Sequence, residues 1–186
     1  MPETTQRRDA VLAAAVEVLG HGGSRALTHR AVDRAAGVAE GTTSNYFRTR
    51  KALVAGVLGH ISQAEAAPLD DLIPPEGLGL DQLVALSAQR VEFLLGPGRT
   101  LTLARHALFL EAALDPQLRP DLLAESRRWW DLGAALLGHL GVPDPARRSR
   151  WLFAYIDGLL IDQLARPADD FDAAAAVRAA LEGILG

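Results

Sequence analysis

The chain has 186 residues, of which 49% are hydrophobic and 23% charged, a balance that supports a buried core and excludes a disordered chain. It contains no cysteine, which excludes a disulfide framework and a thiolate metal site and predicts a reducing, cytoplasmic environment. Residues 1–51 hold eight Arg or Lys against five acids, a net charge of +3, whereas the remainder holds 11 against 18, a net charge of −7. This segregation favours a segment that faces nucleic acid on an acidic body that does not.

The first predicted helix, residues 4–20, begins with basic residues before an apolar stretch, as a signal peptide does. Glu3, Asp9 and Glu17 interrupt that stretch, and its apolar residues recur with helical spacing. A membrane span needs about 20 consecutive apolar residues. We therefore expect a chain that is neither processed nor inserted into a membrane.

Proline positions divide the rest of the chain, because proline interrupts helix interiors. The intervals are rich in Ala, Leu, Arg and Glu with apolar residues at helical spacing, and no strand pattern is present. The sequence therefore predicts an all-α protein of about nine helices. Their expected bounds are 4–20, 28–36, 40–46, 50–66, 79–95, 99–114, 117–140, 145–165 and 169–185.

Residues 27–47 have the pattern of two short helices joined by a tight turn. Thr28 is suited to cap the first helix, and Gly37 stands where the chain leaves it. The second helix has short polar side chains that can reach base edges when its N-terminus enters the major groove. These side chains are Thr42, Thr43, Ser44 and Asn45.

This segment resembles the DNA-binding signature of the TetR family, which runs L-T-x-R-x-V, A-G-V, G-T and Y-F before a basic residue. The match covers about residues 7–58. Beyond that range the resemblance is one of length and helical layout. The matching residues are Leu27, Thr28, Arg30, Val32, Ala36, Gly37, Val38, Gly41, Thr42, Tyr46, Phe47 and Leu53.

The resemblance implies a three-helix DNA-binding domain over residues 1–50 and a helical bundle for effector binding and dimerisation over 51–186. The residues that it implies for DNA contact are Thr28, Arg30, Thr42, Thr43, Ser44, Asn45, Tyr46, Arg50 and Lys51. Packing is the alternative role for Tyr46 and Phe47. Ser44 departs from a common aromatic, Arg50 from the usual lysine, and Asp33 from a usually small residue for which the sequence offers no reason.

The predicted helix 145–165 is apolar around almost its whole circumference, so it must be covered on all sides. A second copy of the chain would cover it, packing this helix and helix 169–185 into a bundle. A central helix in a monomer is the alternative. The last helix would contribute Val177, Leu181, Ile184 and Leu185.

The resemblance also implies a small-molecule effector bound among the central helices of the body, where aromatic and polar residues coincide. The candidates are Arg105, His106, Phe109, Trp130, Trp151 and Tyr155. For each of them a core or dimer contact is the alternative. We expect no cofactor, and Glu17 and His21, although four residues apart on one helix, lack further metal ligands.

An enzyme is the main alternative class, but the sequence contains neither a nucleophile elbow nor HExxH, and its Gly-x-Gly pairs lack a phosphate-binding pattern. A helical adaptor that has lost DNA binding is a second alternative, which the basic residues around the turn argue against. The sequence therefore predicts a non-enzymatic, homodimeric repressor that binds a palindromic operator and is released by its effector.

Overall fold

The structure, a computed structural model, describes residues 2–66 and 79–185, without the side chains of residues 2–4, 66 and 185. Over these ranges it contains nine α-helices and no strand, which confirms the predicted all-α class. The helices are α1 (Pro2–Ala26), α2 (His29–Ala35), α3 (Thr42–Tyr46), α4 (Arg50–Ala66), α5 (Leu80–Leu95), α6 (Arg99–Leu114), α7 (Arg119–His139), α8 (Pro145–Ala165) and α9 (Ala173–Leu185).

Two helix ends differ from the prediction by more than two residues. Helix α1 extends to Ala26 instead of ending at residue 20, with an interruption at Gly23, whose φ of 67° only glycine adopts readily. Helix α9 begins at Ala173 instead of residue 169, because the Asp172 carboxylate accepts the Ala175 amide hydrogen at 2.9 Å and caps the helix there.

The chain forms two compact units. Of the described residues, the first unit contains 2–66 and 99–125, and the second contains 79–98 and 126–185. Helix α6, which follows α5 in the sequence, therefore belongs to the same unit as α1 to α4.

The first unit is built around α1, which packs against α2, α4 and α6. The approach of α1 to α6 is close, since a Cβ atom on Gly20 would lie 2.4 Å from Cγ2 of Thr100. Gly56 of α4 likewise leaves room for the Phe47 ring. The largest fully buried side chains of this unit are Val11, Leu19, Leu27, Val32, Leu53, Val54, Val57 and Leu108.

In the second unit, α5 packs against α8 and α9, which also contact each other. Helix α7 approaches α8 at Gly133, where a Cβ atom would lie 2.5 Å from the Ser149 hydroxyl. That hydroxyl donates to the backbone carbonyl of Trp130 at 2.8 Å, so the polar group is satisfied inside the interface. Buried apolar residues of this unit include Leu83, Val84, Val91, Leu94, Leu137, Leu152, Leu160, Val177 and Leu181.

Candidate nucleic-acid interface

Helices α2 and α3 form the predicted helix-turn-helix. The Thr28 side chain accepts the Ala31 amide hydrogen at 3.1 Å, so Thr28 caps α2. Gly37 and Gly41 have φ values of 65° and 92°, which allow the chain to leave α2 and enter α3 within a few residues. Local sequence thus determines both ends of the turn.

Asp33 has a role that the sequence did not reveal. Helix α3 begins after Gly41, which has no side chain to cap it. The buried Asp33 carboxylate of α2 takes that place, since it accepts the amide hydrogens of Gly41 and Thr43, each at 2.7 Å. It also accepts the Thr43 hydroxyl hydrogen. A residue of one helix therefore caps the next.

The charge of Asp33 is stabilised by these contacts. Burial by itself raises the pKa of Asp33, but the hydrogen bonds from the Thr43 hydroxyl, the Thr43 amide and the Gly41 amide, together with His29, lower the pKa below its ordinary value. The carboxylate is thus ionised at neutral pH and lies at the N-terminus of α3, where the helix dipole favours negative charge.

The five residues of α3 divide between an exposed and a buried side. Ser44 and Asn45 are exposed, and Thr42 and Tyr46 are half-buried. Thr43 is fully buried and donates to Asp33 through both its amide and its hydroxyl. The prediction that Thr43 contacts DNA is therefore wrong for its side chain, which holds the helix instead.

The aromatic pair that ends α3 packs as the alternative interpretation expected. Phe47 is 4% exposed in the core of the first unit, and Tyr46 packs against that core. His29 lies across the motif, with its Nε2 at hydrogen-bond distance from the Phe47 carbonyl oxygen. Tyr46 retains part of its surface, so a DNA contact from it remains a prediction.

The basic candidates at the edge of the motif differ in their surroundings. Lys51 and Arg30 are exposed, and Arg30 lies 3.5 Å from a Glu40 carboxylate oxygen in a solvated pair. Such a pair is weak, so a phosphate contact from Arg30 remains a prediction.

Arg50, by contrast, is held by the protein itself. It donates to the Glu111 carboxylate through Nε at 3.1 Å and Nη2 at 2.8 Å, and to the backbone carbonyls of Ser24 and Leu27. Four of its five donor hydrogens are thereby directed at protein acceptors. Its side chain is still 43% exposed, so a phosphate contact from Arg50 remains a prediction, with Glu111 as the competing partner.

Three of the effector candidates, Arg105, His106 and Phe109, lie together on α6 in the first unit. Arg105 donates to both Glu65 carboxylate oxygens, at 3.0 and 3.2 Å. The His106 ring is 5.6 Å from the Phe109 ring, and its Nδ1 lies 2.9 Å from the Thr102 carbonyl oxygen. The sequence reasoning missed Glu65, the buried acid that faces this group.

The other three effector candidates, Trp130, Trp151 and Tyr155, lie in the second unit. The Arg150 guanidinium stacks 4.6 Å from the centre of the Trp130 ring. Trp151 and Tyr155 are 53% and 45% exposed on α8. An effector role for these residues remains a prediction.

Helix α8 is not covered all round within one chain. Besides Trp151 and Tyr155, Ile161 is 42% exposed, and the three lie on one side of the helix. On α9, Val177, Leu181 and Ile184 point into the core of their own unit, contrary to the expectation that they face a partner. The side chain of Leu185 lies outside the described part of the chain. The exposed positions of α9 include the small residues Ala175, Ala179 and Gly183.

The described residues contain no group of three His, Asp or Glu side chains arranged to hold a metal ion. The His21 ring bonds to the Glu17 carbonyl oxygen of its own helix at 2.9 Å. Among residues 2–66 and 79–185, no helix is both long enough and apolar enough to cross a membrane.

A helix-turn-helix whose second helix exposes short polar side chains, within an all-helical chain, is the arrangement of a DNA-binding transcriptional regulator. Comparison with known proteins agrees. Residues 11–57 match the family model of bacterial regulatory proteins of the TetR family, and residues 78–186, more than half of the chain, match a tetracyclin repressor-like C-terminal domain. The chain belongs to the TetR family of transcriptional regulators.

Solved structures show the same fold over nearly the whole chain. A TetR-family member from Streptomyces coelicolor is 28% identical with a TM-score of 0.74, covering 97% of this chain and 98% of that one. The multidrug binding protein EbrR complexed with imidazole is 27% identical with a TM-score of 0.70, covering 97% and 95%. A TetR-family regulator from Rhodococcus is 21% identical with a TM-score of 0.80, covering 98% and 100%. No curated protein sequence matched.

Proposed function

We propose that the protein is a homodimeric repressor that binds a palindromic operator through α3 and is released by a small-molecule effector. The observation that carries the proposal is the exposed edge of α3, where Ser44 and Asn45 are free to reach base edges while Asp33 holds the start of the helix. A recognition helix of only five residues cannot be stable alone, so a preformed cap reduces the ordering cost of DNA binding.

The proposed DNA surface differs from the predicted one by two residues. Thr43 and Arg50 are left out, because their polar groups already bond to acceptors of the protein. Phosphate contacts fix register, whereas base contacts from the exposed side of α3 select the sequence. The proposed set is Thr28, Arg30, Thr42, Ser44, Asn45, Tyr46 and Lys51.

The proposed dimer forms through one side of α8 and the small-residue side of α9. Trp151, Tyr155 and Ile161 provide apolar area that a single chain leaves exposed. Ala175 and Ala179 permit a close helix approach. A two-fold axis through this surface would present two copies of α3 to a palindromic site, with half-sites one DNA turn or a multiple of it apart.

The proposed effector is a small, partly apolar molecule. Family membership supports a ligand site in residues 51–186, and the EbrR structures contain imidazole, proflavin and ethidium. For this chain the proposed contacts are Arg105, His106 and Phe109 of the first unit or, alternatively, Trp130 of the second unit, whereas Trp151 and Tyr155 are assigned to the dimer face. Effector binding would act by changing the spacing of the two recognition helices, a coupling of about 1 to 3 kcal/mol. The proposal requires no catalysis and no cofactor.

The test is a selection of genomic DNA fragments with purified protein, followed by titrations of the enriched fragment at several salt concentrations. We expect a palindromic site, steep salt dependence and two protomers per site. Asn45→Ala should weaken binding by about tenfold or more. The matched control, Gln63→Ala, changes an exposed amide on α4 and should bind as the wild type does. No enriched fragment from a folded, dimeric protein would contradict the proposal and favour an adaptor.

A further inference from the structure

The Glu111 carboxylate of α6 bonds to both segments that flank the helix-turn-helix, which are the end of α1 and the start of α4. Glu111 accepts hydrogen bonds from Arg50 through both oxygens, with Oε1 2.8 Å and Oε2 3.0 Å from Nη2. The Ser24 hydroxyl donates to the same carboxylate. The Glu111 side chain is only 16% exposed, so its charge depends on these two partners. We name Ser24, Arg50 and Glu111 the α6 cluster.

Arg50 extends the α6 cluster to the backbone. Its Nη2 donates to the Ser24 carbonyl oxygen at 2.9 Å, and its Nη1 donates to the Leu27 carbonyl oxygen. Leu27 directly precedes Thr28, the cap of α2. One guanidinium therefore links the last turn of α1, the start of α2 and the first residue of α4, and Glu111 fixes that guanidinium to α6.

The same helix also holds the other end of α4. Arg105 of α6 pairs with Glu65 in the last turn of α4 at 3.0 Å, and the Glu65 side chain is 3% exposed. The two ion pairs have opposite polarity, since α4 provides the base at its start and the acid at its end. This alternation favours a single alignment of α4 on α6.

The α6 cluster also joins residues that belong to two different family-model matches. Ser24, Leu27 and Arg50 lie in the segment that matches the DNA-binding family model, whereas Glu111 lies in the segment that matches the C-terminal domain. All four residues nevertheless lie in one compact unit. A displacement of α6 would therefore act on the segments that flank the helix-turn-helix through the partly buried Glu111 carboxylate.

We propose that Glu111 is a positioning residue for operator binding, which fixes the orientation of the helix-turn-helix through Arg50 without touching DNA. The inference rests on the proposed function. Removal of the Glu111 charge leaves Arg50 without its ionic partner and weakens its link to α6. The segments that Arg50 joins must then be ordered to a greater extent when DNA binds, which costs affinity. Affinity should therefore fall while the number of neutralised phosphates stays the same.

The test compares Glu111→Gln with Glu92→Gln, which removes an equal charge from an exposed position on α5. Removal of a negative charge by itself attracts DNA, so Glu92→Gln should bind the selected fragment as tightly as the wild type or slightly more tightly. Glu111→Gln should bind about tenfold more weakly, with the slope of log affinity against log salt unchanged. Circular dichroism must show both variants fully folded at the titration temperature.

A Glu111→Gln variant that binds the selected fragment as tightly as the wild type, or more tightly, would overturn the inference. Tighter binding with a slope steeper by about 0.9 per protomer would show that Glu111 competes with a phosphate for Arg50. If Glu111→Gln does not fold, Ser24→Ala replaces it, since it removes only the hydroxyl. Ser24→Ala should weaken binding roughly threefold, and unchanged affinity would also overturn the inference.

A double variant separates positioning from direct contact. If Arg50 and Glu111 act through one cluster, the double variant Arg50→Gln, Glu111→Gln should bind DNA no more weakly than whichever single variant binds more weakly. Additive losses, with a shallower salt slope for every variant of Arg50, would instead assign Arg50 to DNA and contradict the inference. A wild-type protein that enriches no fragment would contradict the proposed function first. A wild-type protein that binds DNA while Glu111→Gln binds equally well would contradict only this inference.

Discussion

The helix-turn-helix satisfies its buried polar groups within one chain, whereas the α8 surface leaves apolar side chains exposed. We name Trp151, Tyr155 and Ile161 the α8 surface. In the helix-turn-helix, the buried Asp33 carboxylate finds three hydrogen-bond donors within ten residues of sequence. On α8, Trp151 and Tyr155 remain about half exposed. The first region is complete in a single chain, whereas the second leaves apolar area uncovered. Conformation is therefore determined locally in the first region, and assembly is expected to complete the second.

The largest expected effect tests the α8 surface. Ile161→Lys places a charge on the proposed dimer face and should convert the protein to monomers, which lowers operator affinity by about a hundredfold or more because two linked half-site contacts become one. Sedimentation equilibrium and operator titration measure the two effects. Leu110→Lys is the matched control, since Leu110 is 68% exposed on α6 and is not part of the proposed dimer face. A dimeric Ile161→Lys protein would show that α8 is not the interface.

The next effect tests whether the helix-turn-helix is self-contained. Asp33→Ala leaves the Gly41 and Thr43 donors without their acceptor and should lower the free energy of unfolding by about 2 kcal/mol. Urea unfolding followed by circular dichroism provides the measurement. Glu40→Ala removes a neighbouring but exposed acid and should cost at most about 1 kcal/mol. Equal stability of the two variants would show that the Asp33 carboxylate does not stabilise the start of α3.

A smaller effect separates the two neighbouring bases at the start of α4. Lys51 is exposed, so Lys51→Ala should weaken operator binding several-fold and reduce the salt slope by about 0.9 for each phosphate that the lysine neutralises. Arg50→Gln should leave that slope unchanged, because the charge that it removes is paired with Glu111. Operator titrations at several salt concentrations compare the two variants. A reduced slope for Arg50→Gln, with an unchanged slope for Lys51→Ala, would reverse the assignment.

The smallest effect is a dependence of stability on pH. The folded pKa of Asp33 lies below its ordinary value, so its contribution is fully present above the ordinary pKa and is lost as the pH falls through the folded pKa. The difference in unfolding free energy between the wild type and Asp33→Asn should therefore stay constant above about pH 5 and shrink below about pH 4. Urea unfolding between about pH 3 and pH 7 measures this difference. A constant difference over that range would contradict the lowered pKa.

Most of the fold followed from local patterns. Residue ranges 50–66, 99–114 and 145–165 were predicted as helices and are α4, α6 and α8 with those bounds. Prolines and capping residues end or begin these helices, and both act over a few residues. The Thr28 cap and the turn at Gly37 were predicted for the same reason.

The errors concern the direction in which polar side chains point. Thr43 was expected at DNA from its place in a short polar helix, but it lies on the buried side and bonds to Asp33. A signal for this was present, since α3 lacks a capping side chain and an acid stands on the inner side of α2. Glu111 had no such signal, because it meets Arg50 across 61 residues and Ser24 across 87.

The sequence by itself therefore determined an all-helical chain with a helix-turn-helix, because helix spacing, caps and turns depend on neighbours along the chain. The tertiary structure alone decided which polar residues are available to a partner. Asp33 and Thr43 are buried and bond to each other, whereas Asn45 and Lys51 remain exposed. Whether a polar group faces water or a buried partner depends on contacts made in space, and local composition does not encode them.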